Sequence, residues 1–382
     1  MIYGDFGVRL FREMAAGARG RNLFVSPVSA GMALAMAYNG ATGDARGEMA
    51  RALGLGEMDL AAVNDANERL RADLESGDVE LAIASSLWGD AEVPFSGELM
   101  ERARRSFAAE AAAVDFADPE TARRIDRWAS EATRGRIPRV APSPVPDNLV
   151  LLLINAVYFK GRWSVPFDAA RTRPRPFRTG AGGSIEHPSM ERGGGYRHLR
   201  GDGFQALRMP YGDDRFALYV FLPDEGAALD AFVGSLTAET IERWAGETRR
   251  AEVVVAMPRF TLRGKSDLVP PLRALGMDAP FAAGTVAFGG LFPPELLPTV
   301  KEAYIGQVTQ RTFVEVNEEG TEAAAVTDIA MMGGAASADP PPPIRFIVDR
   351  PFVAAIRDDR TGALLFLGQV NDPSDEGDPD GG

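Results

Sequence analysis

Residues 149–160 read LVLLLINAVYFK. Apolar side chains stand on both faces at any period, so the segment is buried on every side. A buried helix of this length is one solution. Asn155, the aromatics Tyr158 and Phe159, and the Pro-rich and Gly-rich flanks favour the other, a central strand of a sheet covered on both faces. Downstream, residues 216–222, 252–257, 311–316, 346–348, 352–357 and 363–370 also read as strands. Upstream, helical patterns fill 6–16, 44–53, 61–74, 96–108 and 119–133, with one alternating strand-like stretch at 79–88. Residues 28–38 are too continuously apolar for a surface helix and read as buried. Ser26 as N-cap and Pro27 at the first helical position open that helix. The chain is therefore α+β, helices early and strands late around one large sheet. The Pro-rich segment 141–147 is short and runs straight into the buried strand, so a single domain is expected. Residues 374–382 form an acidic tail, read as disordered.

The 382 residues are 45% hydrophobic and 25% charged, ordinary values for a globular chain with a sizeable core. A formal net charge of −13 argues against a nucleic-acid partner, which needs clustered cations. The three lysines, Lys160, Lys265 and Lys301, are scattered, and no basic cluster suits heparin or an acidic membrane. No apolar stretch reaches membrane-spanning length. Residues 1–7 lack the features of a signal peptide. A secreted or extracellular location is expected if a leader has been removed, and a cytoplasmic one otherwise. The absence of cysteine excludes disulfides, thiolate chemistry and cysteine-ligated zinc. His187 and His198 both lie in a Gly- and Arg-rich segment that reads as a loop. A Ser-His-Asp mechanism would need one of them as base, yet no nucleophile elbow, HExxH, P-loop or GxGxxG pattern is present. The carboxylates read as solvated surface rather than an acid/base pair. The chain is not expected to be an enzyme, nor to carry a metal or cofactor.

Residues 318–337 read EEGTEAAAVTDIAMMGGAAS. Taken alternately from Thr321, one set (Thr321, Ala323, Ala325, Thr327, Ile329, Met331) carries no charge. The other (Glu322, Ala324, Val326, Asp328, Ala330, Met332) holds both charges. The segment could lie as a strand with its first set buried, and no proline interrupts it. Yet Ala323, Ala324 and Ala325 are poor strand formers, Gly320 precedes them, and Gly333, Gly334 and four prolines follow. This pattern suits an exposed loop that a sheet could accept. On pattern alone, a plain Ala-rich helix or flexible loop stands open beside it.

Several motifs follow one another along nearly the whole chain. They are NLFVSPVS at 22–29, WASEATRGRI at 128–137, NAVYFKGRW at 155–163 followed by Pro166-Phe167, and Met209-Pro-Tyr211. FLPDE at 221–225, Pro258-Arg-Phe260, Leu275-Gly-Met277, VNEEGTEAAA at 316–325 and LLFLGQVNDP at 364–373 complete the series. In this order, from about Tyr3 to Pro373, they resemble the serpin family of serine protease inhibitors. The resemblance implies a bacterial-type serpin with an inhibitory hinge. Its fold would be a large central, mostly antiparallel sheet surrounded by helices, with smaller sheets and an exposed reactive loop at about 318–343, in one domain spanning 1–373. The implied mechanism is a metastable trap. A serine protease attacks one loop bond, and the cut loop inserts as an extra central strand before the acyl-enzyme can be hydrolysed.

By the same resemblance Glu318, Glu319, Gly320, Thr321, Glu322, Ala323, Ala324 and Ala325 form the hinge, with Thr321 the first side chain to enter the sheet. Ser26, Ser29 and Asn155 match the polar gate beneath the central strands, and Trp163 the aromatic where insertion begins. The family's usual histidine is Gln310 here. It can still bond Asn155 or a Ser hydroxyl, without that histidine's pH sensitivity. Family spacing places the scissile bond at Gly334-Ala335, or Ala336-Ser337 if the register slips, within a bracket from Met332 to Ser337. With no Arg or Lys in 321–344, the expected target is elastase-, subtilisin- or chymotrypsin-like rather than trypsin-like. A monomer forming a covalent protease complex is expected. The alternative is a non-inhibitory serpin with a carrier, chaperone or storage role, cleaved as a simple substrate. The small residues of this hinge favour inhibition.

Overall fold

The computed structural model describes residues 2–91, 94–142, 145–146, 149–321 and 341–377. The described helices are α1 (Gly4–Ala16), α2 (Pro27–Tyr38), α3 (Gly43–Leu53), α4 (Leu60–Glu75), α5 (Gly97–Phe107), α6 (Pro119–Ala132), α7 (Leu229–Ser235), α8 (Ala238–Glu247) and α9 (Val269–Ala274). The strands are β1 (Leu23–Val25), β2 (Glu80–Asp90), β3 (Glu110–Val114), β4 (Leu151–Lys160), β5 (Arg173–Arg178), β6 (Ser184–Arg200) and β7 (Phe204–Pro210). They continue with β8 (Phe216–Pro223), β9 (Arg249–Pro258), β10 (Phe260–Asp267), β11 (Ile305–Val316), β12 (Ile344–Ile347), β13 (Phe352–Asp358) and β14 (Leu364–Val370).

Two sheets organise the molecule. One runs β10-β11-β4-β2-β3; the other runs β1-β14-β13-β8-β7-β6-β9-β12, with β5 on β6. The second is antiparallel except for β12 on β9. The five-stranded sheet is evenly mixed: β10/β11 and β2/β4 are antiparallel, while β11/β4 and β2/β3 are parallel. The expected antiparallel bias therefore belongs to the nine-stranded sheet, and the mixed one carries the site.

β4 lies at the centre of that sheet, as its two apolar faces require. Leu151, Leu153, Val157 and Phe159 join the main core; Leu152, Ile154, Ala156 and Tyr158 join a second core beneath Ile125 and Ala129 of α6. Period-two geometry sends alternate residues to opposite faces, so Asn155 points with Leu153 toward the main core. Every residue of α2 is buried. Burial on all sides removes the amphipathic stripe and explains the continuous apolar run.

The segment holding both histidines is not a loop. It is β6, paired with β9 from Ser189↔Pro258 to His198↔Arg249. Gly193–Gly195 mimic a loop in the sequence, but the ladder to β9 holds them extended. His198 is buried, its Nε2 lies 3.0 Å from Gln205 Oε1, and burial lowers its pKa against the raising effect of that hydrogen bond. The acidic tail also begins later than composition suggests. The Asn22 amide donates to the Asp375 carbonyl (2.7 Å), the Arg263 amide to the Glu376 carbonyl (2.7 Å), and the Arg263 and Glu376 side chains pair.

Candidate functional site: the seam between two parallel strands

β11 and β4 run side by side in parallel from Ile305↔Leu151 to Phe313↔Tyr158. Crossing this seam is the register pair Gln310↔Asn155. Gln310 Nε2 donates to Asn155 Oδ1 (2.7 Å) and to the Ser26 carbonyl (3.1 Å), and Gln310 Oε1 accepts the Ser26 amide (2.8 Å). Asn155 Nδ2 donates to Ser29 Oγ (2.5 Å), Ser85 Oγ (3.2 Å) and the Ala84 carbonyl (3.3 Å). All six residues that supply these side chains or backbone groups (Ser26, Ser29, Ala84, Ser85, Asn155, Gln310) are buried. The clasp thus joins β4, β11 and β2 to the start of α2. Buried polar groups that lose partners cost about 1–3 kcal/mol each, so separating the strands is opposed at this point.

The Ser26 hydroxyl takes no part in it. It is buried without a partner and makes no cap bond to α2. Gln310 holds the Ser26 backbone instead, and Pro27 at the first helical position brings no backbone N–H that needs a partner. Ser85 was not singled out in the sequence. Two adjacent serines inside an otherwise apolar strand were the available signal, since buried hydroxyls need partners.

At the upper end of the seam the chain reverses. Asn317 and Gly320 exchange backbone bonds (2.8 and 3.3 Å), and Gly320 then pairs antiparallel with Arg162, just past β4. The Thr321 amide donates to the Gly161 carbonyl (2.6 Å), Trp163 N–H to the Glu319 carbonyl (2.9 Å) and Phe167 N–H to the Glu318 carbonyl (2.8 Å). Gly320 has φ +141°, and a Cβ there would lie 2.1 Å from the Gly161 carbonyl oxygen, so only glycine fits. Thr321 is wholly buried, with its hydroxyl 3.1 Å from Tyr211 OH. Tyr211 stacks on Trp163 at 4.5 Å, and Trp163 Nε1 donates to the Asn317 carbonyl (2.8 Å). Burial pushes the Tyr211 pKa up, which keeps its hydroxyl protonated.

Glu318 is buried and holds Arg259: Nε lies 2.7 Å from Oε1, and the Thr172 hydroxyl donates to the same oxygen. Burial would raise the Glu318 pKa, but the hydrogen bonds from Thr172 and Arg259, with a backbone hydrogen bond and the Arg259 charge, lower it on balance. Of the expected hinge, Glu318–Thr321 come together here with Trp163. Glu322, Ala323, Ala324 and Ala325, and the bracket Met332, Gly334, Ala335, Ala336 and Ser337, lie outside the described residues. Among the described residues no group of three His, Cys, Asp or Glu side chains could hold a metal.

The geometry has one mechanical consequence. The chain has already turned after β11 and begun to pair antiparallel beyond the end of β4. Continuing that pairing requires β4 and β11 to part, and the inserted strand would then run antiparallel to both.

A family model described as serpin (serine protease inhibitor) matches residues 1–373. Iripin-2 of Ixodes ricinus is 31% identical, over 96% of this chain and 91% of its own. The leukocyte elastase inhibitor of Sus scrofa is 32% identical, over 96% and 97%. The native crystal structure of tengpin, a thermophilic serpin, superimposes with a TM-score of 0.87 at 25% identity, covering 97% of this chain and 93% of that one. These matches show the family and do not confirm the bacterial type expected for it.

Proposed function

This chain belongs to the serpin family, and on that premise we propose that it inhibits serine proteases as a suicide substrate rather than catalysing a reaction. The carrying observation is the poised seam: a parallel β4/β11 pair with the loop's first residues already reversed and seated at its upper end. In the proposed reaction the protease serine oxygen attacks a carbonyl within Met332–Ser337. The peptide C–N bond breaks, the new amine leaves on the C-terminal piece, and an ester joins protease to loop. Insertion then outruns hydrolysis of that ester. Small and Met side chains in the bracket suit elastase-, subtilisin- or chymotrypsin-like pockets, and the similarity to a leukocyte elastase inhibitor supports the first of these. The inhibitor would act as a monomer.

The test is incubation with pancreatic elastase, subtilisin, chymotrypsin and trypsin, followed by denaturing electrophoresis and mass analysis of the released peptide. A boiling-resistant covalent band with at least one of the first three, none with trypsin, and a cut within 332–337 is expected. Clean cleavage by all four without such a band would refute inhibition and favour the non-inhibitory alternative.

A further inference from the structure

Beside Pro258, the residue before Arg259, lies a cavity of about 210 Å³, walled by Phe177, Pro176, Pro258, Ile347 and Val348 with Arg175, His187, Ser189 and Asp349 at its polar edge. An apolar cavity of about 150 Å³ accepts a benzene ring, so this one has room for a ring with a substituent. Its charges are already neutralised. Arg175 pairs with Glu191, and Asp349 with Arg350 and Arg178. Two polar groups remain uncommitted. Ser189 lines the cavity with most of its surface covered, and its hydroxyl is held by no side-chain hydrogen bond among the described residues. His187 Nε2 lies 2.8 Å from the Arg259 carbonyl and must donate there, so in that tautomer Nδ1 is the lone-pair acceptor.

We propose that this cavity binds a small uncharged phenolic ring, and that its occupancy is felt at the hinge. The ring lies on Phe177 and the two prolines (Pro176 and Pro258). Its hydroxyl donates to His187 Nδ1 and accepts from Ser189. A charged carboxylate or amine finds no free counter-charge and is excluded by its desolvation cost. The link to the hinge is short. Arg259 is fixed on both backbone sides by this wall, its amide donating to the Pro188 carbonyl (3.0 Å) and its carbonyl accepting from His187. Its side chain holds Glu318. A ligand that fixes the His187 ring therefore steadies the Arg259–Glu318 clasp, and with it the Phe167 amide bonded to the Glu318 carbonyl.

The experiment uses the intact, uncleaved protein and needs no protease. Phenol, methoxybenzene, benzoate and benzylamine are titrated by calorimetry and ligand-observed NMR. Phenol is expected to bind saturably with a dissociation constant of about 1 mM, the range open to so small a ring. At least a fivefold loss is expected for methoxybenzene, for benzoate, and for phenol with Ser189→Ala. That variant should melt like wild type without ligand. Absence of saturable phenol binding, or equal affinity for phenol and benzoate, would overturn the site. Amide hydrogen exchange at Phe167 should slow when phenol saturates the protein; an unchanged rate would overturn the coupling.

Discussion

Gln310 commits both polar atoms of its carboxamide to the closed seam, accepting from the Ser26 amide and donating to the Ser26 carbonyl and Asn155. Replacing it with alanine strands at least two buried groups, at about 1–3 kcal/mol each. Gln310→Ala should therefore melt several degrees lower and convert faster to an inserted, non-inhibitory form, which calorimetry and timed inhibition assays would register. A carboxamide does not titrate, so the clasp itself adds no pH dependence. Gln310→His would add one. A buried imidazole resists protonation, its folded pKa falls below the unfolded value of about 6.5, and the unfolded chain binds more protons as pH drops. Stability of that variant should thus fall below wild type between about pH 7 and 5, and parallel pH–melting curves would contradict the assignment. Glu318 gives a second titration. Its folded pKa is lowered, so its contribution is complete above the ordinary carboxylate range and fades as pH falls through the lowered value. Glu318→Gln should melt lower at neutral pH and approach wild type as the solution is acidified; a gap that does not narrow with falling pH would count against the clasp.

At the scale of elements, the hinge turns on whether Thr321 can stay under the sheet. It is wholly buried before any cleavage, so an arginine there must either bury a charge without a partner or lift the reversed segment off Gly161 and Trp163. Thr321→Arg is expected to be cleaved as a substrate with little covalent complex. Thr321→Val, which loses only the contact to Tyr211, should still inhibit, and covalent bands of equal strength from the two variants would refute the hinge reading. β4 was legible because Asn155, the aromatics and the Pro-rich and Gly-rich flanks favoured a sheet centre over a buried helix, whereas the loop's alternation left a helix or plain loop open and was singled out only through the family resemblance. β6 stayed hidden. Gly193–Gly195 look like a loop, and what makes them a strand is β9, about sixty residues downstream. In the clasp, Asn155, Ser29 and Gln310 could be named through resemblance. Ser85, Thr172, Arg259 and Tyr211 come together only through sheet register and chain reversal, which no local pattern encodes. The Ser26 hydroxyl was misassigned because its residue type fits a cap, whereas the backbone of that residue is what Gln310 holds.

Across the whole molecule, the loop would enter the five-stranded sheet at one of its two parallel pairings, the other being β2/β3 at the edge. Parallel ladders are slightly less stable per residue than antiparallel ones, and β11/β4 is parallel while both its outer neighbours, β10 and β2, pair antiparallel. Inserting a strand replaces one parallel ladder with two antiparallel ones and buries the alternate set Thr321, Ala323, Ala325, Thr327, Ile329 and Met331. The small side chains from Thr321 to Thr327 limit what must be displaced beneath the first half of the inserted strand. Before cleavage the loop is tied at both ends, to β11 and to β12, and cannot run the length of the seam without pulling β12 from β9. One cut removes that restraint. If about ten new ladder bonds form at roughly 1 kcal/mol each, part offset by ordering the loop, the melting temperature should rise by something on the order of 10 °C. Calorimetry before and after a single cut within 332–337 measures this directly. An unchanged melting temperature would mean that the closed seam is already the most stable arrangement, and that the reversed segment at Gly320 and Thr321 is a resting turn rather than the start of an insertion. The Gly320→Ala variant separates the two cases. Its Cβ would collide with Gly161, so in a metastable trap it should slow insertion and leave the cleaved form with a reduced rise, whereas in a resting turn it should lower the melting temperature of intact and cleaved protein equally.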